Sequence, residues 1–126
     1  MPCLVGWSFI GVVLETAAPP SADAWPSDPS GATYITVDTD VSAGADFTTL
    51  SAAVADLPST FTAPYIITVA ASAGTADTTP VEFYDVGATD VYPLIVRPTT
   101  SNRHGGVWDT SVYRLEVTGS IPLISI

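Results

Sequence analysis

One short stretch of this chain repeats its apolar residues at helical spacing, and the rest is cut into strand-sized pieces. Leu50, Ala53, Val54 and Leu57 recur three and four apart, with small Ala and Ser residues between them. Thr48 or Thr49 stands where an N-cap belongs, and Pro58 ends the run, so the spacing predicts one amphipathic helix over about 49–57. Before it, Tyr34–Val37 reads as a strand, followed by a turn-rich stretch from Asp38 to Asp46. After it, the β-branched and aromatic runs Tyr65–Ala70, Val81–Tyr84, Tyr92–Arg97, Tyr113–Val117 and Pro122–Ile126 are separated by Gly, Pro, Thr, Asp and Ser clusters. No second helix interrupts them, so the expected fold class is mainly β.

The start of the chain has another character. Met1–Thr16 is apolar, with Val5-Gly-Trp-Ser-Phe-Ile suited to an extended strand. Ala17–Gly31 carries Pro19, Pro20, Pro26 and Pro29, a composition that favours extended or polyproline backbone. Residues 1–31 therefore read as an extended, apolar and Pro-rich anchoring arm, and residues 32–126 as the body. Val5, Trp7, Phe9, Ile10 and Trp25 are its candidate docking residues. The apolar run Leu4–Leu14 is shorter than the roughly twenty residues needed to cross a bilayer, so no membrane is expected as a partner. Ala22-Asp23-Ala24 could serve as a signal-peptide cleavage site. No basic residue precedes the apolar run, however, and Glu15 follows it closely, which favours a docked arm.

Charge narrows the function further. Only 13 % of residues are charged, against an average of about 25 %, and 13 acidic residues face three arginines, for a formal charge of -10. A chain of that sign repels phosphate backbones, so nucleic acid is not expected as a partner. The acids are scattered singly, as on a solvated surface. Cys3 has no second thiol to pair with.

Two constellations invite a chemical reading and fail it. His104 lies near Asp109 and Ser111, but no G-x-S-x-G elbow is present, and His-Gly-Gly-Val-Trp-Asp reads as a turn. Asp38, Asp40, Ser42 and Asp46 alternate as in a calcium loop. Ala43 and Thr49, though, stand where an EF-hand has Gly and Glu. Neither a catalytic residue, nor a metal ligand, nor a cofactor is assigned.

Ala45-Asp-Phe-Thr-Thr-Leu-Ser-Ala-Ala-Val-Ala-Asp-Leu-Pro, followed by Tyr65-Ile-Ile-Thr-Val, resembles the opening of pectin-lyase-like right-handed β-helix proteins. Pro93-Leu-Ile-Val-Arg-Pro and Arg103-His-Gly-Gly-Val-Trp-Asp-Thr-Ser-Val-Tyr-Arg-Leu are similar to the first-coil region of such proteins common in phage and environmental bacterial genomes, the kind found in bacteriophage tail fibres and spikes. The resemblance covers about residues 44–126. It implies the start of a right-handed parallel β-helix capped by the short α-helix, with Phe47, Leu50, Val54 and Leu57 lying on the first coil. Ile66, Val69, Val81, Phe83, Leu94, Val96, Leu115 and Val117 would then point inward. It further implies a virion structural protein (fibre, spike or capsid-attached appendage), located in the virion, docked to other virion proteins by its arm and forming a homo-oligomer, a trimer by preference. The alternatives are the N-terminal segment of a secreted polysaccharide lyase or hydrolase and a small capsid decoration protein. Solenoids need about three stacked repeats, and the strands after the helix make fewer than two full turns, so the chain reads as unfinished at its apolar Ile121-Pro-Leu-Ile-Ser-Ile end.

Overall fold

The computed structural model describes residues 27–118 and 124–125. Within them the chain makes strands β1 (Thr33–Asp38), β2 (Tyr65–Ala70), β3 (Val81–Glu82), β4 (Leu94–Pro98) and β5 (Ile124–Ser125), and one helix, α1 (Leu50–Ala55). Short 3-10 turns follow β1 at Val41–Ala43 and β4 at Thr100–Asn102. The described structure is thus mainly strand with a single short helix.

Every strand pair is parallel. β1, β2 and β4 form one sheet in that order, and β3 and β5 form a second. Thr33 pairs with Tyr65 and Tyr65 with Leu94, so the chain comes back to the same sheet position after 32 residues and again after 29. Parallel neighbours cannot be joined by a hairpin, and each return must travel out and back. The first return carries α1 and the second carries β3. The second sheet extends upstream as a single bridge from Asp77 to Leu115.

Side chains alternate along each strand, so the register fixes which rungs share a face. Ile35, Ile67 and Val96 make one row and Val37, Val69 and Pro98 the next. On this side sits the core, where Val37, Ile67, Val69 and Val81 meet Leu50, Ala53 and Val54 of the helix. The opposite face carries the row Tyr34, Ile66, Ile95 and the row Thr36, Thr68, Arg97.

The helix differs little from the reading of its spacing. Thr49 is its N-cap, with Oγ1 accepting from the Ala52 N–H at 3.2 Å, and Asp56 closes it. Six residues are too few to hold a helix in water, so tertiary packing must supply its stability. Leu50, Ala53 and Val54 are buried, and α1 packs against both β1 and β3.

Several strand expectations are corrected. β3 covers 81–82 rather than 81–84, because the chain turns at Asp85, which has φ of 56°. β4 runs from Leu94 to Pro98, not from Tyr92. Tyr113–Val117 contributes only the bridge at Leu115, and the Tyr113 N–H goes to the Asn102 side chain instead of a neighbouring strand. Ile66 and Val69 were expected on one face, yet an odd separation places them on opposite faces, and Ile67 is the core partner of Val69. Val96 lies on the core-facing row but is 38 % exposed, because β4 has no further strand beside it among the described residues. Gly87 shows how closely successive returns approach. A Cβ there would lie 2.5 Å from the Ser59 carbonyl carbon, and the Gly87 C=O accepts from the Phe61 N–H at 3.0 Å.

Candidate functional site

The two ends of the three-stranded sheet are chemically different, and that asymmetry is the feature most suited to a function. At the β1 end, the outward-facing N–H and C=O of Thr36 and the N–H of Asp38 are already used. The Thr36 N–H donates to Asp46 Oδ2 at 2.8 Å, the Asp38 N–H to the Phe47 C=O at 3.0 Å, and the Phe47 N–H to the Thr36 C=O at 3.1 Å. Thr36 Oγ1 adds a bond to the same Asp46 oxygen at 2.7 Å. These bonds from Thr36, the backbone one first, hold the Asp46 carboxyl below the ordinary carboxylate value. A short segment therefore blunts this edge, as exposed edges require.

Phe47, Leu50, Val54 and Leu57 converge beside that edge. Leu50 and Val54 belong to the buried cluster, and Phe47 and Leu57 pack against it while half-buried. What fastens the helix is Asp77, which reading the sequence missed. It is 1 % exposed, and its Oδ2 accepts from the Leu50 N–H at 2.7 Å and the Tyr113 hydroxyl at 2.9 Å. Its Oδ1 takes the Thr79 N–H at 3.0 Å, and its backbone bridges to residues 114 and 116. A first-turn N–H with no partner in the helix is thus satisfied by a carboxylate from the next return of the chain. Burial, together with the Asp77 charge, pushes the Tyr113 hydroxyl well above its ordinary value.

Two other polar side chains are buried among the described residues, and both also join successive returns. Asp38, at the end of β1, accepts from the Ser72 N–H at 2.9 Å, from Ser72 Oγ, and from the Asp40 N–H at 3.0 Å. Burial pushes its carboxyl up, but the hydrogen bonds from Ser72 and Asp40 outweigh that and leave it below the ordinary value. Asn102, after β4, accepts on Oδ1 from the Ala71 N–H and the Tyr113 N–H, each at 2.9 Å. Asp38 therefore ties the first return to the second, and Asn102 the third to the second. The only local signal for either was a turn-forming residue at a strand end.

At the β4 end the edge is open among the described residues. The Tyr65 N–H donates to the Pro93 C=O and the Thr99 N–H to the Val69 C=O, each at 3.0 Å. In a parallel ladder this alternation turns the backbone groups of Ile95 and Arg97 toward β2 and those of Leu94, Val96 and Pro98 outward. Pro98 offers no N–H, which limits how far pairing can extend. Arg97 reaches across the outer face and grips Asp28 with two bonds, 2.6 and 2.9 Å, while the Tyr34 hydroxyl donates to Asp28 at 2.8 Å. The Arg97 hydrogen bonds lead in holding the Asp28 carboxyl below its ordinary value. The last residues of the expected arm thus lie on the body, latched to both outer strands of the sheet. Val5, Trp7, Phe9, Ile10 and Trp25 lie outside the described residues.

The residues weighed for catalysis are not assembled for it. Ser111 donates both its N–H and Oγ to Asp109, at 2.8 and 2.6 Å, and these bonds lower the Asp109 pKa. His104 donates from Nε2 to the Tyr113 C=O at 3.3 Å and stacks on Trp108. The acids of the calcium-like loop are spent separately, Asp38 on Ser72, Asp40 on Ser42 and Asp46 on Thr36. Among the described residues no group of His, Cys, Asp and Glu is placed to hold a metal, and no helix is long and apolar enough to cross a membrane. Comparison of the chain with protein-family models, with curated proteins and with solved structures found no match.

Proposed function

We propose that this chain is the start of a right-handed parallel β-helix that serves as a structural appendage of a bacteriophage particle, a fibre, spike or capsid-attached component. In this reading α1 and the segment 46–47 close the outer end of the stack, β4 begins the growing end, and the arm docks on other virion proteins. The body assembles as a homo-oligomer, a trimer by preference.

The observation that carries the architecture is the double return to one register, Thr33 to Tyr65 to Leu94, with α1 one return upstream of β3. Stacked parallel strands with polar pins at their corners are what a solenoid needs, because each repeat buries its apolar face only against its neighbours. An acidic shaft with no catalytic group assembled among its described residues suits a structural role better than an enzymatic one. The particle context rests on the resemblance of residues 44–126 to phage β-helix proteins, and fold alone does not assign function.

The test is incorporation. Particles assembled with a chain lacking residues 1–26 should carry none of it, while that chain still unfolds cooperatively in denaturant. Full incorporation of the truncated chain would refute the docking role of the arm.

A further inference from the structure

The sequence contains a single Asp–Pro bond, Asp28-Pro29, just ahead of β1. Such a bond is prone to break from within. The Asp carboxyl can close a five-membered ring on its own main-chain carbonyl, and the nitrogen of a tertiary amide takes a proton more readily than that of an ordinary peptide bond. In this chain the carboxyl is held elsewhere. Arg97 of β4 donates to Asp28 Oδ1 at 2.6 Å and to Oδ2 at 2.9 Å, and the Tyr34 hydroxyl of β1 donates to Oδ2 at 2.8 Å.

We infer that Asp28-Pro29 is a latent self-cleavage site, kept closed by the clamp of Arg97 and Tyr34 on the Asp28 carboxyl, and that opening the clamp in acid parts residues 1–28 from residues 29–126. The inference does not depend on the particle reading.

The step needs a neutral carboxyl with a free oxygen. One carboxyl oxygen attacks the Asp28 main-chain carbonyl carbon, the bond from that carbon to the Pro29 nitrogen breaks, and the carboxyl proton goes to the departing nitrogen. A cyclic anhydride remains on Asp28 and Pro29 becomes a new N-terminal amine. Water, the sole co-reactant, then opens the anhydride and leaves two carboxyls on Asp28. It has access, because Ser27, Ser30 and Gly31 around the bond are exposed.

The clamp blocks both requirements. Each carboxylate oxygen accepts from Arg97, so neither is free to turn onto the backbone, and a carboxylate beside a guanidinium has no proton to give. The Arg97 hydrogen bonds and then that of Tyr34 hold the Asp28 carboxyl below its ordinary value, and among the described residues these are the two titratable groups that touch it. They reach in from the two outer strands of the sheet, so Asp28 is gripped from both sides.

Incubating the full chain at about pH 4, close to the ordinary carboxyl value of 3.8, and following its intact mass tests this. Arg97→Gln removes the charged bonds and should release the 1–28 and 29–126 fragments at least about threefold faster than the natural chain. Tyr34→Phe, which leaves Arg97 in place, should fall between the two. Asp28→Asn should release neither fragment. In urea at the same pH, where no fold holds the carboxyl, the natural chain and Arg97→Gln should cleave at one rate. Cooperative urea unfolding at that pH shows which variants are folded, and Tyr34→Phe carries the test if Arg97→Gln is not. Equal rates in the folded natural chain and the folded clamp variants would overturn the inference, as would scission of the Asp28→Asn chain at the same bond.

Discussion

Replacing Asp77 should damage this protein more than its place in a Thr-rich stretch of sequence would suggest. Asp77→Ala leaves the Leu50 N–H and the Tyr113 hydroxyl without their partner, where the folded structure places them 2.7 and 2.9 Å from one carboxylate oxygen. A buried donor left unsatisfied costs about 1–3 kcal/mol. Two such losses, partly offset by no longer burying a carboxylate, come to about 2–4 kcal/mol. Against a total of about 5–15 kcal/mol for a domain, that is a large share. Tyr113→Phe removes one of these bonds and should cost about 1–2 kcal/mol. Urea titration followed by tryptophan fluorescence and circular dichroism gives both values, and the double variant gives their coupling. If Asp77→Ala changes stability by less than about 0.5 kcal/mol, the helix is not held by this carboxylate and the reasoning fails.

Three further outcomes are expected. Leu50→Asp puts a charge into a site that is 6 % exposed at the centre of the cluster, and should abolish the cooperative unfolding transition in denaturant titration. Gly87→Ala forces the backbone at Ser59 and Thr60 to move and should cost about 1–3 kcal/mol by the same titration, whereas Gly105→Ala, with open space around it, should cost little. Stability against pH should fall at both extremes. The Asp38 and Asp46 carboxyls are depressed in the folded state, so their contribution is present above the ordinary value of 3.8 and is lost as pH falls through the folded values. Tyr113 is raised, so its contribution is present below 10.0 and declines above it, where the unfolded chain ionises and the folded one does not. Thermal melts from acid to alkali read both limbs, and Tyr113→Phe should flatten the alkaline one.

What the sequence revealed and concealed follows from where each signal resides. The helix was legible because Leu50, Ala53, Val54 and Leu57 all face one core, so packing and period agree. β2 was legible to the residue because it is flanked on both sides and its β-branched run is uninterrupted. Strand faces were harder. Ile66 and Ile67 are both fully buried, and a central strand apolar on both faces gives no alternation to read. Tyr113–Val117 has strand composition, but its pairing is decided by Asn102 and Asp77, which are 11 and 36 residues away from Tyr113. The polar pins were invisible for the same reason. Asp38, Asp77 and Asn102 look like turn residues locally, and only the stacking of one return on the next gives them distant partners. The open edge of β4 likewise depends on which strands sit beside it, which no local pattern encodes.

The account rests on one geometric claim, that the chain returns twice to the same sheet in parallel and in register. Nuclear Overhauser contacts across the rungs of the labelled full chain test it most directly. The register Ile35–Ile67–Val96 requires backbone contacts between β1 and β2 and between β2 and β4 that advance together along the strands. Contacts running in opposite senses between either pair, or a shift by one residue that brings Ile66 beside Val96, would contradict it.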